Sequence, residues 1–206
     1  MSNVIKNLIF DLGNVLLRFA PLEYLRTRLI DETKIYNLHR EIFLGEEWLM
    51  LDRGVITEDE AIERMIAKSV GHGELIKTCM NQWYQMFTPI EETVDILKKV
   101  KNRGYKTYIL SNFHSLAYEN VTQRFDFFKY FDGGIISCRE KLLKPEVEIY
   151  NKLITRYGIQ PNESIFIDDT KVNIKGAEAL GFKTILYDSS VQLHSALVKF
   201  RVLDCS

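Results

Sequence analysis

Cysteine is scarce in this chain and scattered. Cys79, Cys138 and Cys205 are odd in number and show no Cys-x-x-Cys spacing. That argues against a disulfide framework or a thiolate metal site, and reads as reduced thiols in a cytoplasmic protein. Cys205 is next to last, not fourth from the end, so prenylation is not expected. Long apolar runs are missing too: none approaches the ~20 residues needed to span a bilayer. The start, Met1-Ser2-Asn3-Val4-Ile5-Lys6, has no basic segment leading into an apolar stretch, and no signal peptide is expected. Excess charge of one sign is the third absence. Lys and Arg total 27 against 28 Asp and Glu, a formal net charge of -1, which gives no reason to expect nucleic acid or a membrane as partner. Internal repeats and low-complexity segments are absent. At 206 residues the chain has room for one substantial domain, or a core with a smaller attachment, and a monomer or weak homodimer is the default.

What is present is an alternation of strand and helix signals. Val4 to Phe10 is a short apolar run with β-branched residues, halted by Asp11-Leu12-Gly13-Asn14, and reads as a buried strand. Glu91 to Lys101 places Val94, Ile96, Leu97 and Val100 on a helical period, with Gly104 as a stop. Further strands are expected over Lys106–Leu110, Gly134–Ser137, Ser164–Ile167 and Lys183–Tyr187, and helices over Glu146–Tyr157 and Val172–Leu180. Such alternation implies parallel pairing with right-handed crossovers, hence an open α/β sheet. About seventy residues, Arg18 to roughly Thr88, interrupt it and carry helical patterning, including the capping-box spacing Thr57-Glu58-Asp59-Glu60 ahead of Ile62, Met65 and Ile66. An insertion that long forms a small helical subdomain rather than a loop.

Ligands bind open α/β sheets outside the carboxyl ends of the strands. Asp11, Ser111, Asn112, Asp168 and Asp169 all fall at such ends. A carboxylate emerging from a buried strand is costly unless something positive compensates it. If the strands are neighbours, three carboxylates converge on one crevice, a donor set suited to a hard cation such as Mg²⁺. Each acid taken alone would serve equally well as a cap for the turn that follows it.

The strings FDLGNVL, YILSNFHS, KLLKPEVEIY and FIDDTKVNIKGAEALG resemble, in order, the four motifs of the haloacid dehalogenase superfamily. The Gly13-Asn14 form of the first motif and the Asp-Asp-x-x-x-Asn form of the fourth look most like the branch of bacterial glucose-1-phosphate phosphatases. The resemblance implies a Rossmann-like core, residues 1–17 and 89–206, with a helical cap at 18–88. It implies hydrolysis of a small phosphoester, preferably a sugar phosphate, with Asp11 as nucleophile. Mg²⁺ would be held by Asp11, the Gly13 carbonyl and Asp168, with Asp169 as a further ligand or a partner behind it. Ser111 and the Asn112 amide would hold phosphoryl oxygens, Lys144 would neutralise the phosphate and the developing charge, and Asn173 would fix the loop after the fourth strand.

One departure stands out. Gly13 occupies the place where most phosphatases of this superfamily carry a second Asp as general acid and base. His114 or Glu47 are candidates to supply the proton instead. Trp48 is expected either to stack on substrate or to pack between cap helices, and Arg18 and Arg53 are candidate anion contacts. Three rivals remain open at this level: a metal-independent dehalogenase, a phosphotransferase or mutase, and a catalytically silent binding protein.

Overall fold

The computed structural model describes residues 4–204 of the chain; Met1 to Asn3, Cys205 and Ser206 lie outside the described residues. Among the described residues seven strands run in chain order: β1 Asn7–Phe10, β2 Leu17–Arg18, β3 Thr88–Pro89, β4 Lys106–Ser111, β5 Gly133–Ile136, β6 Ser164–Asp168 and β7 Lys183–Leu186. Five form one sheet in the order β5-β4-β1-β6-β7, every pairing parallel. β1 is buried at all four positions, as a central parallel strand covered on both faces must be. This is the mixed α/β architecture with a Rossmann-like parallel sheet that the strand and helix alternation implies.

Each expected element of the sheet region is present, displaced by one to three residues at its ends. The first strand begins at Asn7 rather than Val4, which is exposed. Ser137 opens a short helix, Ser137–Glu140, instead of closing β5. The helices Glu91–Asn102, Val147–Tyr157 and Lys171–Ala179 form, and Gly104 and Gly181 take positive φ just beyond two of them, where an L side chain would be strained.

The segment between β2 and β3 is helical, with α-helices Pro21–Arg26, Glu32–Leu38, Glu46–Arg53, Glu58–Lys68 and Gly73–Met80. The Thr57 capping box is made in both directions: Thr57 Oγ1 accepts from the Glu60 amide and Glu60 accepts from the Thr57 amide. β2 and β3 pair antiparallel, Leu17 with Pro89 and Arg18 with Thr88, so the chain leaves for the helices and returns from them side by side. No helix among the described residues is long and apolar enough to cross a membrane.

The helical segment is not loosely tethered. Ser137 Oγ donates to the Asp52 carbonyl at 2.5 Å, and Arg53 pairs with Glu146. Gly54 follows at φ +71°, and a Cβ there would stand 2.2 Å from the Cys138 carbonyl oxygen. Gly54→Ala should therefore cost about 1–3 kcal/mol from the left-handed backbone alone, with the clash added. Urea unfolding tests this; an unchanged midpoint would mean that the turn does not sit on Cys138.

Candidate active site

The register of the parallel sheet decides which residues meet. Phe10 pairs with Ile167 on one side and Ile109 on the other, so the next residue, Asp11, emerges beside Asp168 and close to Ser111. Ligand atoms of Asp11, Asp168 and Asp169 all lie within 4.8 Å of one another. Asp168 is fully buried, Asp11 nearly so.

One cation lies inside this cluster. Lys144 Nζ donates to Asp168 Oδ2 at 2.6 Å and sits 2.9 Å from Asp11 Oδ1, with 1% of its side chain exposed. Burial alone would pull its pKa down, but Asp11 and Asp168 together outweigh this and hold it above the usual lysine value. Burial pushes Asp11 up to about 7, with Lys144 pulling down and Asp168 pushing up. Two buried carboxylates sharing one ammonium leave a negative excess, the condition under which one of them resists ionisation.

The remaining polar contacts hold this arrangement. Asn173 Nδ2 donates to both Asp168 oxygens, at 3.1 and 3.2 Å, and the Thr170 amide donates to Oδ1 at 2.8 Å. Asn173 thus grips the carboxylate itself as well as the loop. The Asn112 side chain reads the Lys144 backbone in both directions, accepting from its amide at 2.8 Å and donating to its carbonyl at 3.1 Å. That ties the lysine loop to the end of β4 and leaves the Asn112 main-chain amide free of that task. Ser111 is fully buried beside Asp11. Asp169 is partly exposed and accepts from Asn14 Nδ2 at 3.4 Å.

A cavity of about 160 Å³ opens at Gly13 and Asn112 and is lined further by Asp52, His114 and a wall of aromatic rings that includes Trp48 and Trp83. Trp48 packs against Trp83 and His114 with ring centroids 4.6 and 4.2 Å apart, so it both packs between helices and faces the cavity. Glu47 is buried but bound to Lys68 at 2.5 Å and is not part of this wall. Arg53 is engaged by Glu146 and exposed Arg18 by Glu23, so neither offers its charge to an anion at the site.

Asp52 is the residue that sequence reasoning missed. No motif surrounds it, and Leu51-Asp52-Arg53-Gly54 reads as an ordinary helix end. Burial first, and then the charge on Asp11, push its pKa up to about 8 despite Lys144. Because the folded value lies above the unfolded value of 3.8, unfolding releases a proton from this group, and its contribution to stability falls as pH rises from about 4 to 8. Asp52→Asn removes that loss. At pH 8 the variant should exceed wild type by at least about 1.4 kcal/mol, equivalent to a tenfold change in the folding constant, with little difference near pH 4. Denaturant unfolding at both pH values checks this, and a margin independent of pH would contradict it.

Comparison with known proteins places the chain in a family. The haloacid dehalogenase-like hydrolase profile matches residues 5–181. A D-ribitol-5-phosphate phosphatase of Bacteroides thetaiotaomicron is 24% identical over 193 residues, covering 88% of this chain and 91% of that one. A sesquiterpene phosphatase of Aspergillus oryzae is 25% identical over 181 residues, covering 88% and 89%. Among solved structures, a haloacid dehalogenase family enzyme of Bacteroides thetaiotaomicron, in complex with magnesium and inorganic phosphate, superposes with a TM-score of 0.70 at 28% identity, covering 89% of this chain and 94% of that one. With its family profile spanning four of the five strands of the sheet, the inserted helices and every member of the carboxylate cluster, the chain belongs to the haloacid dehalogenase-like hydrolases.

Proposed function

We propose that the protein is a Mg²⁺-dependent phosphomonoester hydrolase that passes the phosphoryl group through Asp11. The observation that carries this is the cluster of Asp11, Asp168 and Asp169, the first two buried and sharing a single ammonium. Three carboxylates against one lysine leave net negative charge, and an all-oxygen donor set suits a hard dication. Asp11, Asp168, Asp169 and the Gly13 carbonyl would hold Mg²⁺. Bound there, it would offset the charge of the incoming phosphate. A dehalogenase, which needs no metal, would gain nothing from further acids beside its nucleophile.

A carboxylate oxygen of Asp11 attacks phosphorus and the bond from phosphorus to the alcohol oxygen breaks, releasing the alcohol once that oxygen takes a proton. Water then attacks the aspartyl-phosphate, freeing inorganic phosphate and regenerating the carboxylate. Lys144 orients Asp11 and neutralises the transferring group, while Ser111 and the Asn112 amide hold its oxygens. Asn173 keeps Asp168 aimed at the cluster.

The helices at 18–88 act as a cap over a core of residues 1–17 and 89–206, a division supported by the β2–β3 ribbon at those boundaries. The substrate is a small phosphoester, with sugar phosphates preferred, in keeping with the ribitol-phosphatase relative. The aromatic wall of the cavity favours a second class, esters of compact apolar alcohols. Buried Cys79 and Cys138, both free thiols, accord with a cytoplasmic setting. Phosphate release from nitrophenyl phosphate, with Mg²⁺ supplied and then chelated, tests the central claim. Loss of at least about 10²-fold on chelation is expected for a metal that carries transition-state charge, and metal-independent turnover would contradict it. A panel of sugar and isoprenyl phosphates then separates the substrate classes.

A further inference from the structure

The phosphatase mechanism lacks one component: a proton for the departing alcohol. The first motif offers only Gly13, and a Cβ built there meets nothing within 4 Å. The place where a side-chain acid would stand is open, and it faces the cavity.

We propose that Asp52, carried by the helix Glu46–Arg53, is the general acid that protonates the leaving alcohol, and the base that then activates water. Asp52 lines the cavity together with Gly13 and Asn112, so it reaches the leaving-group side of the phosphoryl site from the helical segment rather than from the sheet. Its position is fixed: the Asp52 carbonyl is bonded to Ser137, the next residue is paired with Glu146, and Gly54 is pressed on Cys138. Proton transfer needs a donor held in a defined pose, and this clamp fixes the backbone that carries one.

His114 supplies an independent sign that the cavity is built for a polar ligand. The ring is 4% exposed and lines the same cavity, yet neither nitrogen has a hydrogen-bond partner. Nε2 lies 3.2 Å from Asp52 Oδ1, the polar atom that faces it. A buried polar group is not normally left unpaired, and a hydroxyl or water approaching both from the cavity would give His114 and Asp52 a shared partner. Burial holds the imidazole neutral, with its pKa near 3. The groups bearing on Asp52 are therefore Asp11 and Lys144 through their charge and His114 by contact. Burial favours the protonated form of Asp52, the state an acid must start from. The balance is closed: Asp52 gives its proton to the ester oxygen as the bond to phosphorus breaks, and recovers one from the water that attacks the aspartyl-phosphate.

This inference rests on the phosphatase mechanism proposed above, and one pair of esters separates their failures. Nitrophenyl phosphate leaves as a stabilised phenolate and needs little protonation; nitrobenzyl phosphate, nearly the same size, leaves as an alkoxide and needs it fully. Asp52→Asn should lower kcat/KM for the benzyl ester by about 10²–10⁴-fold, the range for general acid catalysis, and for the phenyl ester by less than about tenfold, since only one leaving group needs the proton. The ratio of the two rates does not depend on how much variant is folded. Equal losses on both esters, or none on either, would overturn the assignment and leave Asp52 a structural residue. Absence of Asp11-dependent phosphate release from either ester in the wild type would overturn the phosphatase mechanism and this inference with it. Adding Gly13→Asp to Asp52→Asn should restore the benzyl ester preferentially, since the new side chain enters open space.

Discussion

Asp11→Asn should reduce phosphate release by at least about 10³-fold while leaving the fold intact, because the nucleophile carries the entire covalent step. The amide is nearly the same size, so the packing at the end of β1 is preserved. What changes is chemical: an amide oxygen is a poor nucleophile, and the variant cannot form the acyl phosphate. The charge change favours stability. Asp11 is buried and its pKa is raised in the folded chain, so its ionised form destabilises the metal-free protein at neutral pH. The variant should unfold at the same or a higher denaturant concentration than wild type in the presence of a chelator. Lost activity with retained stability would establish Asp11 as catalytic rather than structural. Turnover near the wild-type rate would remove it from the mechanism.

The sheet was legible because its strands are short apolar runs that end in polar residues, and because helix stops such as Gly104 and Gly181 punctuate the segments between them. The site was legible for a related reason: in a parallel sheet the carboxyl ends of adjacent strands deliver whatever follows them to one edge, so Asp11 and Asp168 meet through backbone register. Lys144 could be assigned only by resemblance, since nothing local distinguishes it from a solvated lysine. Its burial follows from the Asn112 side chain gripping its backbone across 32 residues of sequence. Asp52 was beyond the reach of periodicity. It sits where the inserted helices meet the sheet, and its exceptional environment is created by tertiary neighbours, Asp11, Lys144 and His114, that no local pattern encodes. Glu47 shows the converse: as an acid of the inserted helices it was eligible to donate a proton, yet the fold buries it and spends its charge on Lys68.

Lys144→Met should be the most damaging single change to the metal-free protein. The ammonium stands between Asp11 Oδ1 at 2.9 Å and Asp168 Oδ2 at 2.6 Å, and methionine fills a similar volume without the charge. Removing one member of a buried ion pair typically costs about 3–5 kcal/mol, because the partners are left uncompensated. The loss should be largest at neutral pH and smaller in acid. Without Lys144 the Asp11 carboxyl loses the ammonium that pulls its pKa down, so the destabilisation grows as pH climbs and Asp11 ionises. Catalysis should fall as well, since the same charge neutralises the transferring phosphoryl group. Mg²⁺ separates the two effects. A dication in the carboxylate cluster would offset much of the missing charge, so unfolding in saturating Mg²⁺ should recover part of the stability lost in chelator, by ordinary binding linkage. Activity should stay low, because the ammonium that orients Asp11 is still absent. A variant as stable as wild type in chelator would show that the cluster tolerates its own repulsion, and Lys144 would then matter to the chemistry alone.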